Sequence, residues 1–301
     1  MKRIVSLLFV CMAWSLQAQS IKPEFKPVKG VEYVVNMEVN QTMTVMIPMM
    51  GEMTTQTDQI VGAVLTLVEE VEKGYLMEAC LTRISVTSSG QGQQQVFDSE
   101  GEDIMSQAIK TLMGKPLQMI ISRQGEVIEQ MPVADTFFTP ADETLATQYA
   151  RRRREQSMEQ IKQVFSQKTI KEVVQSGLTK FPDRMLTIPS VWTVEDKSPE
   201  MNVIITLQHR LTEVSGNRAT LSSRLVMMPD PNVAPSTAAQ RMEKISGNGE
   251  AASVIDIESG WVIESNGTQL MKGDLVVEQG NQVQSYPVTI NAKVKITSLN
   301  H

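Results

Sequence analysis

Long stretches in which apolar and polar residues alternate constrain the fold of this chain more than any other sequence feature. The clearest runs from Val31 to Val39, and similar stretches follow at 57–71 and 75–86, separated by a turn at Gly74. A period of two places apolar side chains on one face of a strand and polar ones on the other, as in half-buried antiparallel sheets. We therefore expect a mainly antiparallel β protein.

A helical pattern interrupts the strands in the middle of the chain. Apolar residues there recur at helical spacing, and the pattern ends at Phe181–Pro182. These apolar positions are Leu145, Tyr149, Met158, Ile161, Phe165, Ile170, Val173, Val174 and Leu178. Because the helices are segregated from the strands, the order of elements predicts an α+β fold rather than a parallel α/β fold.

An internal repeat predicts that the sheet is duplicated. Residues 119–129 match 254–264 at a constant offset, each as strand, glycine turn and strand, with Gly125 aligned on Gly260. We expect a short helix before each hairpin. The first is capped by Ser99 and Glu102 and followed by Gly114, and the second covers 236–245.

The repeat predicts two curved sheets or half-barrels, and it leaves open whether the halves form one continuous sheet or two domains. The expected organisation is an N-terminal β-rich repeat at 19–139, a helical connection at 140–182 and a C-terminal β-rich repeat at 183–301.

The first residues have the pattern of a cleavable export signal. Lys2 and Arg3 precede a short apolar run, and Leu16-Gln17-Ala18 fits a cleavage site, so residues 1–18 are predicted to be removed. That run is too short to span a bilayer, which takes roughly 20 residues. No later stretch is apolar for long enough. We expect a periplasmic or secreted protein without a transmembrane span.

Charge and cysteine content exclude two classes of protein. The formal net charge is −6, and it becomes −8 without residues 1–18, which hold two basic and no acidic residues. An acidic chain is a poor nucleic-acid binder, because binding to phosphates dominates that affinity. After cleavage Cys80 is the one remaining cysteine, so an intramolecular disulfide is excluded, and we expect a buried, inert thiol.

The chain lacks a recognisable catalytic constellation, and we expect neither a metal nor another cofactor. Its two histidines are His209, predicted to face solvent from a strand, and the last residue, His301. Histidine-based metal sites and nucleophiles with a histidine base are therefore disfavoured. Asp256 and Glu258 share one strand face, but a solvated face explains them. The acidic segment 98–103 lacks the full spacing of a calcium loop.

Two groups of residues are candidates for binding. Methionine supplies adaptable apolar surface, and a cluster of it around Pro48 and Gly51 predicts an apolar ligand site at Met43, Met46, Met49, Met50 and Met53. Four consecutive arginines could contact an acidic partner or lipid headgroups, although a solvated helix face also explains them. They are Arg151, Arg152, Arg153 and Arg154.

This layout resembles a family of uncharacterised exported bacterial proteins, a domain of unknown function. The resemblance is carried by the signal ending near Gln19, the strand–glycine–strand block from Met113 to Glu129, its later repeat, and the segment Ile188–Trp192. It implies no activity. At the level of fold alone, the layout is also similar to the half-barrel lipoprotein carriers of the periplasm, which hold acyl chains in an apolar concavity.

Three hypotheses for function follow. The first is a non-catalytic cell-envelope protein that binds a lipid or another apolar small molecule in a concave sheet. The second is a structural or assembly protein that acts through an envelope protein partner. The third is a hydrolase that uses carboxylates alone.

Overall fold

The structure is a computed structural model that describes residues 20–198, 201–233, 238–279 and 282–300. The predicted export signal at residues 1–18 lies outside these ranges. Within them, twelve strands form one antiparallel sheet. The strands are β1 Glu32–Ile47, β2 Gly51–Val71, β3 Gly74–Gly90, β4 Gln93–Asp98, β5 Pro116–Ile121, β6 Val127–Gln130, β7 Val191–Ser198, β8 Val203–Ser215, β9 Arg218–Pro229, β10 Gln240–Asp256, β11 Val262–Gln279 and β12 Gln282–Asn300.

The order of strands in the sheet is β6-β5-β3-β2-β1-β12-β11-β10-β9-β8-β7, and β4 also pairs with β3. Neighbouring strands are consecutive in sequence except between β3 and β5, where β4 and α1 intervene, and at the centre of the sheet. There β1 pairs with β12, for example Tyr33 with Asn300 and Val45 with Val288. The expected α+β fold with a mainly antiparallel sheet is confirmed, and the two halves form one continuous sheet.

The helices lie between β6 and β7 in sequence, apart from one after β4. They are α1 Ile104–Lys110, α2 Thr139–Ala146, α3 Arg151–Val164 and α4 Gln167–Ser176, with one 3-10 turn at Asp135–Phe138. Ser166 starts α4 by accepting a hydrogen bond from the Thr169 N–H at 3.3 Å. Buried Ile170, Val173 and Val174 then form the apolar face of α4.

The segment after α4 joins the two edges of the sheet. Lys180 Nζ lies 3.0 Å from Glu126 Oε1, beside β6, and 2.8 Å from Asp196 Oδ1 on β7. The indole N–H of Trp192 on β7 also donates to the Lys180 carbonyl. One lysine can reach both edges only if the sheet curls, so the inner face of the sheet is concave.

The N-terminal segment closes the same end of the sheet. Ile21 pairs with Leu186, the Phe25 N–H donates to the Arg123 carbonyl at 2.8 Å, and the Lys26 N–H donates to the Ser259 carbonyl at 2.9 Å. We call the group formed by residues 21–26, the turns 122–126 and 257–261, and residues 177–186 the closed end.

An aromatic cluster fills the closed end. The Phe25 ring meets Tyr75 edge-on with centroids 5.7 Å apart, and Trp261 lies 5.3 Å from Tyr33. All four side chains are buried. Burial of such large rings makes this cluster a principal source of stability.

The helix predicted at 236–245 is wrong over the residues that the structure describes, where β10 begins at Gln240. A β-bulge between Glu243 and Ser246, with Lys244 at φ +52°, inserts an extra residue into the strand. Met242 and Ile245 thereby reach the same apolar cluster although they are three residues apart. The bulge therefore gave the apolar residues of this β-strand the spacing that is typical of a helix.

The helix predicted after Ser99 exists, but it has a different cap. Asp103 is the N-cap of α1 and accepts hydrogen bonds from the Met105 and Ser106 N–H groups at 2.9 and 3.1 Å. Ser99 is buried, and its Oγ accepts from the Ile84 N–H instead. The terminus predicted at Gly114 is wrong, because α1 ends at Lys110 with Thr111 as its C-cap, and Gly114, which has φ +71°, lies in the turn that follows.

Candidate ligand cavity

The helices leave a gap over the inner face of the first half of the sheet. Strands β2, β3 and β4 form one wall of this gap, and α1, α3 and α4 form the other. The gap is a cavity of about 690 Å³. Sixteen residues line it: Gln59, Val61, Leu81, Ile84, Val86, Ser88, Gln95, Val96, Phe97, Met105, Gln160, Gln163, Val164, Thr169, Ile170 and Val173.

The floor of the cavity is apolar and buried. Val61, Leu81 and Ile84 form it on the sheet side, and Ile170 and Val173 form it on α4. Their positions follow from strand alternation on β2 and β3 and from the apolar stripe of α4. Half-buried Val86, Phe97, Met105 and Val164 continue the apolar wall outward.

The rim of the cavity is polar and uncharged. Gln95, Gln160 and Gln163 are exposed there, and Gln59, Ser88 and Thr169 are partly exposed. None of the sixteen lining residues is Asp, Glu, Lys, Arg or His. The cavity therefore grades from an apolar floor to a hydrogen-bonding, neutral mouth.

The charged side chains near these strands are engaged with one another. Arg83 on β3 forms a bidentate pair with Asp98 and lies 3.1 Å from a Glu100 carboxylate oxygen. Burial would raise the pKa of Asp98, but hydrogen bonds from Arg83, the Glu100 N–H and Ser85 lower it below its usual value. On α3, Lys162 lies 3.2 Å from an Asp135 oxygen.

A smaller hollow, of about 220 Å³, lies between the end of α4 and the second half of the sheet. His209 lines it, with its ring 5.2 Å from that of Trp192 and its Nδ1 2.7 Å from Ser223 Oγ. The prediction that His209 faces solvent is wrong. His209 pairs with Trp192 on β7 and with Ser223 on β9, and these pairings place its side chain on the inner face of the sheet. Burial lowers the pKa of His209 to about 4.

The five methionines predicted as a ligand site do not come together. Met43 and Met53 are half-buried on the inner face near the β1–β2 turn, whereas Met46 is exposed on the opposite face. Met49 and Met50 are exposed in the turn itself. None of the five lines the 690 Å³ cavity.

The four arginines occupy the first turn of α3, beside the helical layer rather than in the cavity. Arg151 pairs with Glu155, Arg153 stacks on the Tyr149 ring at 4.1 Å, and Arg152 is exposed. Arg154 Nε lies 3.2 Å from an Asp142 oxygen, but without the geometry of a hydrogen bond. Contacts within the helical layer therefore account for three of the four.

The acidic candidates serve local structure. Asp256 accepts hydrogen bonds from Asn217 and Ser259 in the β10–β11 turn, and Glu258 is exposed there. In the 98–103 segment, Asp98 holds Arg83 and Asp103 caps α1. Over the ranges that the structure describes, no three His, Cys, Asp or Glu side chains form a group that could hold a metal ion.

The residues of the cavity could not be recognised individually from sequence. Its floor residues look like ordinary core, and its rim glutamines look like ordinary surface. The sequence contains one indication of the cavity. The inward positions of β3 change from apolar Leu81 and Ile84 in the core to polar Ser88 farther along the strand. Across the described ranges, no helix is long and apolar enough to cross a membrane.

The model of one protein family, described as "Family of unknown function (DUF6263)", matches residues 72–262. This match includes β3 to β10, all four helices and most of the cavity. The expected resemblance to a domain of unknown function is confirmed. No curated protein matches the chain.

Three solved structures show weak similarity. A lipovitellin structure, titled for lipid–protein interactions, is 10% identical with a TM-score of 0.49; the alignment covers 92% of this chain but only 26% of that one. An outer membrane channel from Pseudomonas putida F1 is 8% identical, with coverages of 91% and 97% and a TM-score of 0.25. DynF of the dynemicin pathway of Micromonospora chersina is 10% identical, with coverages of 97% and 92% and a TM-score of 0.19. These scores are low, so function is argued from the chain's own residues.

Proposed function

The chain belongs to DUF6263, a family of unknown function, and we propose that it is an exported, non-catalytic protein of the cell envelope that binds an apolar ligand between its sheet and its helices. The observation that carries this proposal is the 690 Å³ cavity, which has an apolar floor and contains no charged residue. Ligand sites for small molecules have volumes of about 300–1,000 Å³ and are lined mainly by apolar side chains.

The position of the cavity also supports binding. A well-packed core leaves few voids larger than a water molecule. A void of this size between a sheet and three helices leaves half-buried apolar side chains such as Val86 without contacts on the side that faces the void, and Phe97 packs against the core only on its other side. An apolar ligand would supply those contacts, and its binding would be favoured by removal of its own apolar surface from water.

The proposal of a non-catalytic role rests on how the reactive groups are used. Asp256 is held in a turn, and Ser223, although bonded to His209, lies inside β9 between β8 and β10. Backbone N–H groups of a strand paired on both sides are consumed by the sheet. Ser223 therefore lacks a nearby pair of free N–H donors for an oxyanion, which acyl transfer would need.

A matched pair of variants tests ligand binding. Ser88 and Ser89 are neighbours on β3 that point to opposite faces, and Ser88 lines the cavity whereas Ser89 is exposed. We expect Ser88→Trp to fill the mouth of the cavity and to weaken binding of phenylnaphthylamine, a neutral fluorophore, by about tenfold or more. Fluorescence titration of the chain from residue 19 measures this affinity.

The control is Ser89→Trp, which adds the same indole outside the cavity and should leave the affinity unchanged. Circular dichroism and thermal melting establish that both variants fold. If phenylnaphthylamine fails to bind, or if the two variants lose affinity equally, the cavity is not the binding site and the proposal fails.

A further inference from the structure

The chemistry of the cavity mouth specifies more than an apolar ligand. Four carboxamides surround it, from Gln59 on β2, Gln95 on β4, and Gln160 and Gln163 on α3. Ser88 and Thr169 add hydroxyl groups. Each carboxamide offers two donors and an acceptor and does not ionise. The mouth can thus hydrogen-bond a polar group but offers it no counterion.

Two cations near the rim residues already have partners. Lys162, next to Gln163, pairs with Asp135 and lies over the Phe138 ring at 5.4 Å. Arg83, on the strand that carries Ser88, is held by Asp98 and Glu100. Lys168, next to Thr169, is engaged as well. An anionic headgroup that contacted one of these cations would compete with its present partner.

An unpaired charge in such a place is unfavourable. A headgroup bound among the partly exposed side chains of Gln59, Ser88 and Thr169 gives up part of its hydration. Loss of hydration costs an ionised group more than a neutral hydrogen-bonding group unless an opposite charge accompanies it. An uncharged headgroup can instead exchange its hydrogen bonds to water for bonds to glutamine and serine at little net cost. The mouth therefore discriminates by charge.

From this arrangement we propose that the ligand is a single-chain amphiphile with a polar, uncharged headgroup, of the monoacylglycerol kind. Its acyl chain lies on the floor formed by Val61, Ile84 and Val173, and its headgroup lies among the rim glutamines. The cavity volume admits one such molecule. This inference deepens the proposed function and depends on it.

Competition with matched lipids tests the inference. Monolauroylglycerol and lauroyl lysophosphatidylglycerol carry the same chain and differ by an anionic phosphoglycerol group. Each is titrated, below its own self-association concentration, against the chain from residue 19 loaded with phenylnaphthylamine. We expect the neutral lipid to displace half of the probe at a concentration about tenfold lower, or less.

A charge variant adds a second readout. Gln163→Lys places a cation at the mouth and should reverse or abolish the preference for the neutral lipid, because the anion then gains a counterion. Gln148→Lys is the control. It adds the same charge to an exposed position just after α2, a helix that does not line the cavity, and should preserve the preference.

The outcomes separate this inference from the proposed function. If phenylnaphthylamine binds but the anionic lipid competes equally or better, the headgroup inference is overturned while apolar binding stands. If Gln163→Lys and Gln148→Lys change the preference alike, charge at the rim does not determine the preference and the inference is likewise overturned. If the probe never binds, both fail together.

Discussion

Burial of His209 on the inner face makes its protonation state a measure of folding. In the folded chain the pKa of His209 is lowered to about 4 because the imidazole is partly removed from water, beside Trp192 and Ser223. In the unfolded chain the pKa of a histidine is about 6.5. The two states therefore bind different numbers of protons between these values.

The sign of the resulting pH effect follows directly. As pH falls below 6.5, His209 is protonated in the unfolded chain but stays neutral in the folded chain. The free energy of unfolding therefore decreases until pH reaches about 4, where the folded chain is protonated as well. We expect this residue to account for a decrease of about 2–3 kcal/mol, measured by urea unfolding at pH 7 and pH 4.5.

The variant His209→Gln removes the titration and retains a group that can hydrogen-bond Ser223. Its free energy of unfolding should decline less than that of the original chain over the same pH interval. Identical pH profiles for the two proteins would show that His209 does not titrate differently in the folded state.

Individual residues were predicted well where local pattern decides their environment. Val173, Val174 and Ile170 were identified from helical spacing and are buried. His209 was misplaced because its neighbours on β8, Gln208 and Arg210, are polar, which hides the alternation that points it inward. The five methionines are spread over both faces and the turn for a different reason, since a hairpin turn separates side chains that are close in sequence.

At the scale of elements, two equivalent hairpin turns are pressed against other backbone segments at the closed end. A Cβ on Gly125 would lie 2.4 Å from the Thr179 carbonyl oxygen, and one on Gly260 would lie 2.4 Å from the Glu24 carbonyl oxygen. These glycines occupy the aligned positions of the sequence repeat. In both repeats, therefore, the turn between two strands packs against a segment that crosses over it.

This packing predicts a stability difference between two glycine substitutions. Gly260→Ala introduces both a positive φ of +70° and the clash with Glu24, whereas Gly216→Ala introduces only a positive φ of +57° in open space. We expect Gly216→Ala to cost about 1 kcal/mol and Gly260→Ala to cost more, about 3 kcal/mol. Chemical denaturation measures both, and equal losses would mean that the N-terminal segment is not packed on the turn.

The elements that could be predicted were those with an uninterrupted period. The strands predicted at 31–39 and 75–86 and the helical connection predicted at 140–182 follow regular patterns and correspond to β1, β3 and α2–α4. The start of β10 could not be predicted, because a bulge gave Met242 and Ile245 helical spacing. The N-cap of α1 was predicted at Ser99 rather than at Asp103 because both side chains can cap a helix. Ser99 is instead buried by parts of the chain that are distant in sequence, and the local sequence does not reveal this burial.

At the scale of the whole molecule, both halves share one core. The main apolar cluster includes Val61 and Ile84 from the first half, Val174 from the helices, and Leu211 and Ile255 from the second half. The sheet is also continuous through β1 and β12. Nothing in this arrangement divides the core at the boundary of the sequence repeat.

We therefore expect the chain to unfold in one transition. Scanning calorimetry should give a calorimetric enthalpy equal to the van't Hoff enthalpy, because loss of either half exposes the core of the other. Two resolved transitions would contradict this expectation and would indicate that the halves are separately stable.

The fold class could be predicted from the sequence, but the joining of the halves could not. Alternation and segregated helices identify an antiparallel α+β fold from local pattern alone. The pairing of Val45 with Val288 has no local signal, since any two amphipathic strands could pair in its place. The cavity depends on the same long-range assembly, because its walls come from β2–β4 and from three helices.

The central pairing of β1 with β12 also governs how this chain reaches its folded state. Contacts between residues so distant in sequence impose a large loop-closure cost and slow the search for the correct structure. Until they form, each half presents a complementary, unsatisfied strand edge. The other half of a second molecule can pair with such an edge. We therefore expect refolding at high protein concentration to yield domain-swapped dimers alongside the monomer.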